Sequence, residues 1–162
     1  MLGTEARLRP AVEDLLYPCD KLGSAYQGAC FYWQPQWWDQ TMRGQGQTDM
    51  KEMFIELGRR CDMEKNPTLN RFCYEGIGNM TAPTGDFIGS KAAALCYVAS
   101  TDPRKQLYCL ATAANSLSTG GGGQKGEGME VCKGLTGASL TYCSKYAENR
   151  ANIVEPLPDP AL

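Results

Sequence analysis

The chain has 162 residues, a formal net charge of −2 and a pI near 5.2, and 43% of it is hydrophobic, enough for one domain with a core of its own. Near-neutral charge excludes the basic stripe of a nucleic-acid-binding surface, and no apolar run approaches the ~18 residues of a membrane span. Histidine is absent, which removes Ser-His-Asp and Cys-His catalytic arrangements, haem attachment through Cys-x-x-Cys-His and His-containing zinc sites. Met1 to Arg7 carries no apolar signal core, so an export signal is expected to have been removed or never to have existed.

Eight cysteines set a ruler along the sequence. Cys19 and Cys30, Cys61 and Cys73, Cys96 and Cys109, and Cys132 and Cys143 enclose 10, 11, 12 and 10 residues, and 30, 22 and 22 residues separate the pairs. The first cysteine of each pair recurs after 42, 35 and 36 residues, a period that marks stacked helical hairpins. The expected architecture is all-α: a single domain over 1–153, with hairpins at roughly 5–43, 47–82, 86–118 and 126–153, and an extended Pro-rich tail over 154–162.

In the first hairpin, Leu8, Val12, Leu15 and Leu16 recur at helical spacing before Cys19, and Gly23-Ser24 supplies the turn. In the second, Met50, Met53, Phe54 and Leu57 trace an apolar face capped by Thr48 or Asp49, and Asn66-Pro67 breaks the pair. In the third, Phe87, Ala94 and Leu95 are read as one face capped by Asp86. Thr101-Asp102-Pro103 then places an N-cap before a first-turn proline, and Leu107, Leu110, Ala111, Ala114 and Leu117 form a 3.6-residue stripe. In the fourth, Gly134 to Gly137 makes the turn. Gly44-Gln45-Gly46, Pro83-Thr84-Gly85 and Gly120 to Gly123 separate the hairpins, and no sustained alternating run suggests a strand.

Within each short gap one cysteine ends a helix and the other lies near the start of the next, positions that an antiparallel pair brings side by side. Four disulfides are therefore expected, 19–30, 61–73, 96–109 and 132–143, each closing a loop of about a dozen residues and stabilising by roughly 3 kcal/mol in the chain-entropy model. The other reading is eight reduced thiols acting as small buried hydrophobes. No Cys-x-x-Cys occurs, so neither a metal site nor a redox motif is expected, and no cofactor is implied.

Phe72-Cys73-Tyr74-Glu75-Gly76-Ile77-Gly78-Asn79, followed by Asp86 and Lys91-Ala92-Ala93-Ala94-Leu95, resembles the tetratricopeptide-related SEL-type repeat. Tyr74, Gly76, Gly78, Asp86, Lys91, Ala92 and Ala99 match its pattern. The resemblance covers one repeat well and the others by spacing alone, and the cysteine gap is longer here. It implies a right-handed helical solenoid that binds other proteins and is not a catalyst. On physical grounds, Gly76 and Gly78 each cost up to about 1 kcal/mol against Ala in a helix, which makes sense where a neighbouring helix crosses closely.

Phe31 to Trp38 holds all three tryptophans, and Trp33, Trp37 and Trp38 are the candidate protein-binding residues. The alternative is that these rings fill a capping repeat, with Pro35 kinking or ending the helix. Asn79-Met80-Thr81 is a glycosylation sequon, so Asn79 is a candidate modification site. Gly120 to Gly128 lacks the Gly-Lys-Ser/Thr ending of a phosphate loop and reads as an inter-repeat loop. Glu52, Glu56, Arg59, Arg60, Asp62, Glu64 and Lys65 read as a solvated face. The tail is expected to lie over a neighbour or partner, or to be a linker from a longer chain.

The expected function is a non-catalytic extracytoplasmic scaffold or protein-interaction module using the concave solenoid face and the tryptophan segment. The alternative is a structural subunit of a self-assembling surface complex or filament. Its partners would be proteins, including copies of itself, with no nucleic acid and no membrane span. Paired cysteines place it extracellularly, at the cell surface or in the periplasm, or alternatively in the mitochondrial intermembrane space.

Overall fold

In the computed structural model the described residues are 14–120, 125–151 and 157–160. Among them are seven α-helices and no strand: α1 Ser24–Gly44, α2 Met50–Cys61, α3 Pro67–Thr84, α4 Gly89–Ala99, α5 Pro103–Thr119, α6 Lys125–Val131 and α7 Gly137–Ala147. A short 3-10 turn, Cys19–Lys21, precedes α1. None of these helices is long and apolar enough to cross a membrane.

Local chemistry sets the boundaries. The Asp49 carboxylate accepts from the Glu52 N–H (3.0 Å) at the start of α2. The Asn66 side chain accepts from Thr68 and Leu69 at the start of α3. Asp102 accepts from Arg104 (2.8 Å) and Lys105 (3.2 Å) at the start of α5. In α3 and α5 a proline follows the cap, where its missing N–H has no bond to lose. Asp86, expected to cap the third hairpin, does not: Ile88 occupies that position, and Asp86 and Phe87 form a turn with φ of 57° and 58°. Pro35 does not end α1, which runs on to Gly44.

The helices pack as two rows. α1, α3, α5 and α7 follow one another in one row, α2, α4 and α6 in the other, and each helix of the second row also packs on its chain neighbours in the first. The result is a stack of antiparallel hairpins, α2/α3, α4/α5 and α6/α7, beginning with the 3-10 turn laid against α1. The described residues before α1 are tied to it by side chains. Gln34 Nε2 (2.8 Å) and Trp38 Nε1 (3.0 Å) both donate to the Leu15 carbonyl. Leu8 and Val12 lie outside the described residues.

One disulfide clips each unit, joining Cys19 to Cys30, Cys61 to Cys73, Cys96 to Cys109 and Cys132 to Cys143, with Cα–Cα separations of 5.4, 5.6, 5.6 and 5.7 Å. These are the consecutive pairs of the ruler, and no described cysteine is free. The core runs continuously between the rows: Met53, Phe54, Leu57, Ile77, Leu107, Leu110 and Leu117 are buried beside the cystines. In α4 the buried face is Ala92, Ala93, Cys96 and Ala99, not the Phe87–Ala94–Leu95 face expected. Phe87 precedes the helix and is exposed, and Ala94 points outward.

Gly76 and Gly78 sit where two neighbours press on α3 from opposite sides. A Cβ on Gly76 would strike the Tyr32 carbonyl of α1, and one on Gly78 would strike the Cys109 carbonyl and Thr112 hydroxyl of α5. Thr112 Oγ1 also donates across this contact to the Glu75 carbonyl at 2.8 Å, so α3 and α5 are joined backbone to side chain. Tyr74 performs the equivalent task between rows, its hydroxyl donating to the Gly58 carbonyl of α2 at 3.1 Å.

Candidate functional site

The tryptophan segment divides between core and surface. Trp38 is 2% exposed, holds the Leu15 carbonyl and lies beneath the Arg60 guanidinium, whose carbon is 5.8 Å from the ring centre. It is therefore closed to a partner, a correction to its place among the candidate protein-binding residues. Trp37 is half-buried against the core. Trp33 is 53% exposed and edge-on to the buried Tyr32, with centroids 5.1 Å apart. Tyr26, seven residues earlier on the same helical face, is 69% exposed. The helix period, which carries successive residues around α1, is what separates three near-neighbours in sequence so completely.

Asn79 lies within α3, half-buried, along a groove of about 440 Å³ that also touches Gln36, Gln40, Asn79's neighbour Met80, and Phe87. Neither Trp33 nor any residue of the charged cluster described next lines this groove, so the sequence-derived candidates do not share one site.

A different cluster forms where the first two turns of α3, α5 and α7 lie side by side. Its centre is Arg71 of α3, with a side chain only 15% exposed. Arg71 Nε donates to Glu75 Oε1 at 2.8 Å, Nη2 to the Tyr142 hydroxyl of α7 at 2.9 Å, and Nη1 to Asp159 Oδ1 at 3.1 Å. Nη2 also reaches the Leu157 carbonyl at 3.2 Å. The guanidinium carbon stands 5.0 Å from the centre of the Tyr108 ring of α5. Arg104, one turn before Tyr108, donates to the other oxygen of Asp159 at 3.2 Å. The segment Leu157–Pro160 thus lies over this row of helix starts, bordering a cleft of about 300 Å³ lined by Arg71, Arg104, Lys105, Tyr108 and Asp102.

The electrostatics follow from burial. Glu75 is 1% exposed, and its removal from water pushes its carboxyl above the usual range, with Arg71 pulling the other way. Burial pulls the Arg71 guanidinium down, but the hydrogen bond and charge of Glu75, with Tyr142 and Tyr146, together outweigh it and hold the value above ordinary. Burial, with Tyr146 beside it, pushes Tyr142 up, and burial together with Asp159 pushes Tyr108 up to about 12. At neutral pH the tyrosines are therefore neutral and the arginines charged. The face presented to the tail is one of cations and hydroxyl donors, suited to binding a carboxylate.

Sequence reasoning passed over Arg71 because it stands alone among apolar and cysteine residues. The available signal was the spacing of Arg71 and Glu75, four apart on a helix whose other face is core, with Tyr108 and Tyr142 each directly before the second cysteine of the next two hairpins, one place later than Arg71 on that ruler. The SEL-type resemblance rested on Tyr74, Gly76 and Gly78 of the same helix and on Asp86, Lys91, Ala92 and Ala99 beyond it.

No family model matches the chain, and comparison with curated proteins and with solved structures finds no match.

Proposed function

We propose that this chain is a non-catalytic, extracytoplasmic protein-interaction module built from SEL-type-like, disulfide-stapled repeats. The observation that carries the reading is the row of helix starts around Arg71, across which an extended piece of chain, Leu157–Pro160, is held by side-chain contacts. A surface that holds one extended segment has the chemistry to hold another. Stacked hairpins supply such surfaces because every repeat adds one more helix start to the row. Four cystines support an oxidising compartment: the outside of the cell, its surface or the periplasm.

A second reading, a subunit that stacks on copies of itself, is favoured by the exposed Tyr26 and Trp33 on α1, the first helix of its row.

Chemical cross-linking in the cells that make the protein tests the module. Wild type is compared with Arg104→Glu and Trp33→Ala, each first shown to melt like wild type. Loss of one and the same cross-linked protein from one variant supports the reading and says which surface is used. Identical cross-linked sets from all three chains contradict it. Sedimentation separates the second reading: a strict monomer at high concentration removes it.

A further inference from the structure

The contact between Arg71 and Asp159 is one-sided in its rigidity. Arg71 is fixed before any tail arrives: Glu75 holds its Nε, Tyr142 holds its Nη2 and the Tyr108 ring lies under its plane. Its Nη1 edge therefore faces the cleft whether or not Asp159 is there. Arg104 supplies a second N–H toward the same point. The tail is the loose partner. Asp159 is 42% exposed and Arg104 is 41% exposed, and ion pairs that open to water are weak.

The occupant's chemistry matches the site atom by atom. Toward the segment the cleft offers the N–H donors of Arg71 and Arg104, its Asp102 carboxylate being engaged as the α5 cap, and the segment offers acceptors: both Asp159 oxygens and the Leu157 carbonyl. Prolines at 158 and 160 remove two backbone N–H groups that would need partners and hold the backbone extended, so little order is lost on docking. A rigid donor edge covered by a weakly held, chemically suited piece of the same chain, beside a cleft that stays open, is the arrangement of a site with a resident competitor.

We propose that the Arg71–Arg104 edge of the cleft at the starts of α3 and α5 is a receptor for an extended, proline-flanked aspartate segment of a partner protein, and that Leu157–Pro160 occupies that edge in cis until that segment displaces it. This rests on the module reading above and names the class of partner. The tail gains from its high local concentration and the partner from contacts beyond the four residues seen here, so the tail sets a threshold of partner affinity.

The probe is a fluorescent peptide with the sequence of residues 154–162, titrated by anisotropy against the full chain. Asp159→Lys places a cation before Arg71 and Arg104 and frees that edge. The peptide is expected to bind Asp159→Lys about tenfold more tightly than wild type, because the cis competitor is gone. Replacing aspartate by asparagine in the peptide is expected to abolish this gain. Arg104→Gln, introduced beside Asp159→Lys, is expected to weaken binding about threefold or more with unchanged melting. Equal binding to wild type and Asp159→Lys, absence of binding to both, or indifference to the peptide's aspartate overturns the proposal. A wild-type dimer in sedimentation that Asp159→Lys abolishes also overturns it, assigning the cleft to the tail of a second copy. Failure here with a surface-specific cross-linked partner retained leaves the module reading standing, whereas loss of both ends both.

Discussion

Gly58 of α2 lies directly against the Ala99 carbonyl of α4, so closely that a Cβ on Gly58 would overlap the oxygen. The obstacle is backbone, which cannot rotate away. The same relation recurs along the stack: Gly76 against Tyr32, Gly78 against Cys109, Gly89 against Glu127 and Gly128 against Ala114. Short helices with small contact faces thereby gain close approach at each step. Gly58→Ala is expected to destabilise by about 2 kcal/mol, since forced separation of packed helices costs about 1–3 kcal/mol and exceeds the propensity gain. Gly44→Ala, where a Cβ meets open space, is expected to change stability by under about 0.5 kcal/mol. Urea unfolding of the two variants side by side checks the pair.

The position of a disulfide in the stack governs what its loss does. Cys96–Cys109 clips the middle hairpin α4/α5, which has neighbours on both sides. Removing it as Cys96→Ala with Cys109→Ala is expected to cost about 3 kcal/mol of global stability. Cys132–Cys143 clips α6/α7 at the end of the row. Its removal is expected to fray that hairpin first, because an end unit has one neighbour to hold it. Amide exchange shows the difference: faster exchange throughout for the first pair, confined to α6 and α7 for the second.

Trp33 and Trp38 separate a surface role from a core one. Trp38→Ala removes a buried ring and the bond to the Leu15 carbonyl, and is expected to cost about 3–5 kcal/mol in thermal or chemical melts. Trp33→Ala, at a half-exposed ring, is expected to cost under about 1 kcal/mol. A comparable loss in both variants contradicts the division of the segment.

Glu56 gives the stack an acid-sensitive contact. Arg59 chiefly, with Arg60, holds its carboxyl down to about 2, through bonds of 2.6 and 2.7 Å from Arg59 and 2.8 Å from Arg60. A depressed carboxyl contributes stability that is complete above its unfolded value of 4.5 and disappears as the pH falls from there through about 2. Glu75, whose carboxyl is raised by burial, acts with the opposite sign, its protonation favouring the folded chain. Glu56→Gln is expected to lower stability by about 0.5–1 kcal/mol at pH 7, the scale of open ion pairs, and to match wild type near pH 2. Denaturant midpoints at the two pH values measure this.

The hairpins were legible because their signals are local. An Asn66 or Asp102 side chain that caps, followed at once by a proline with no N–H to lose, favours a helix start there, so each boundary is written in two residues. The cysteine spacing is local too, since a clip within one hairpin must join residues about a dozen apart. Glycine at 76 and 78 announced close contacts because the helix bears a cost there that only packing offsets. What was not legible depends on three-dimensional addition. The misread face of α4 came from Asp86, whose side chain suits a cap; the chain instead turns through Asp86 and Phe87, and Lys91 takes the Asp86 carboxylate at 2.7 Å. Arg71 becomes a site only when Tyr108, Tyr142 and Asp159, distant in sequence, arrive around it. A tryptophan's burial likewise depends on its bearing around α1, which Pro35 left open to doubt in the sequence and which the continuous helix fixes.

Non-reducing peptide mapping of the protein taken from its native cells, alkylated at lysis, bears on the whole account at once. The expected spectrum holds four cross-linked peptides, 19 with 30, 61 with 73, 96 with 109 and 132 with 143, and no alkylated cysteine. Eight alkylated thiols would remove both the oxidising compartment and the clipped stack that carries the cleft, and links that join one hairpin to another would remove the clipped stack.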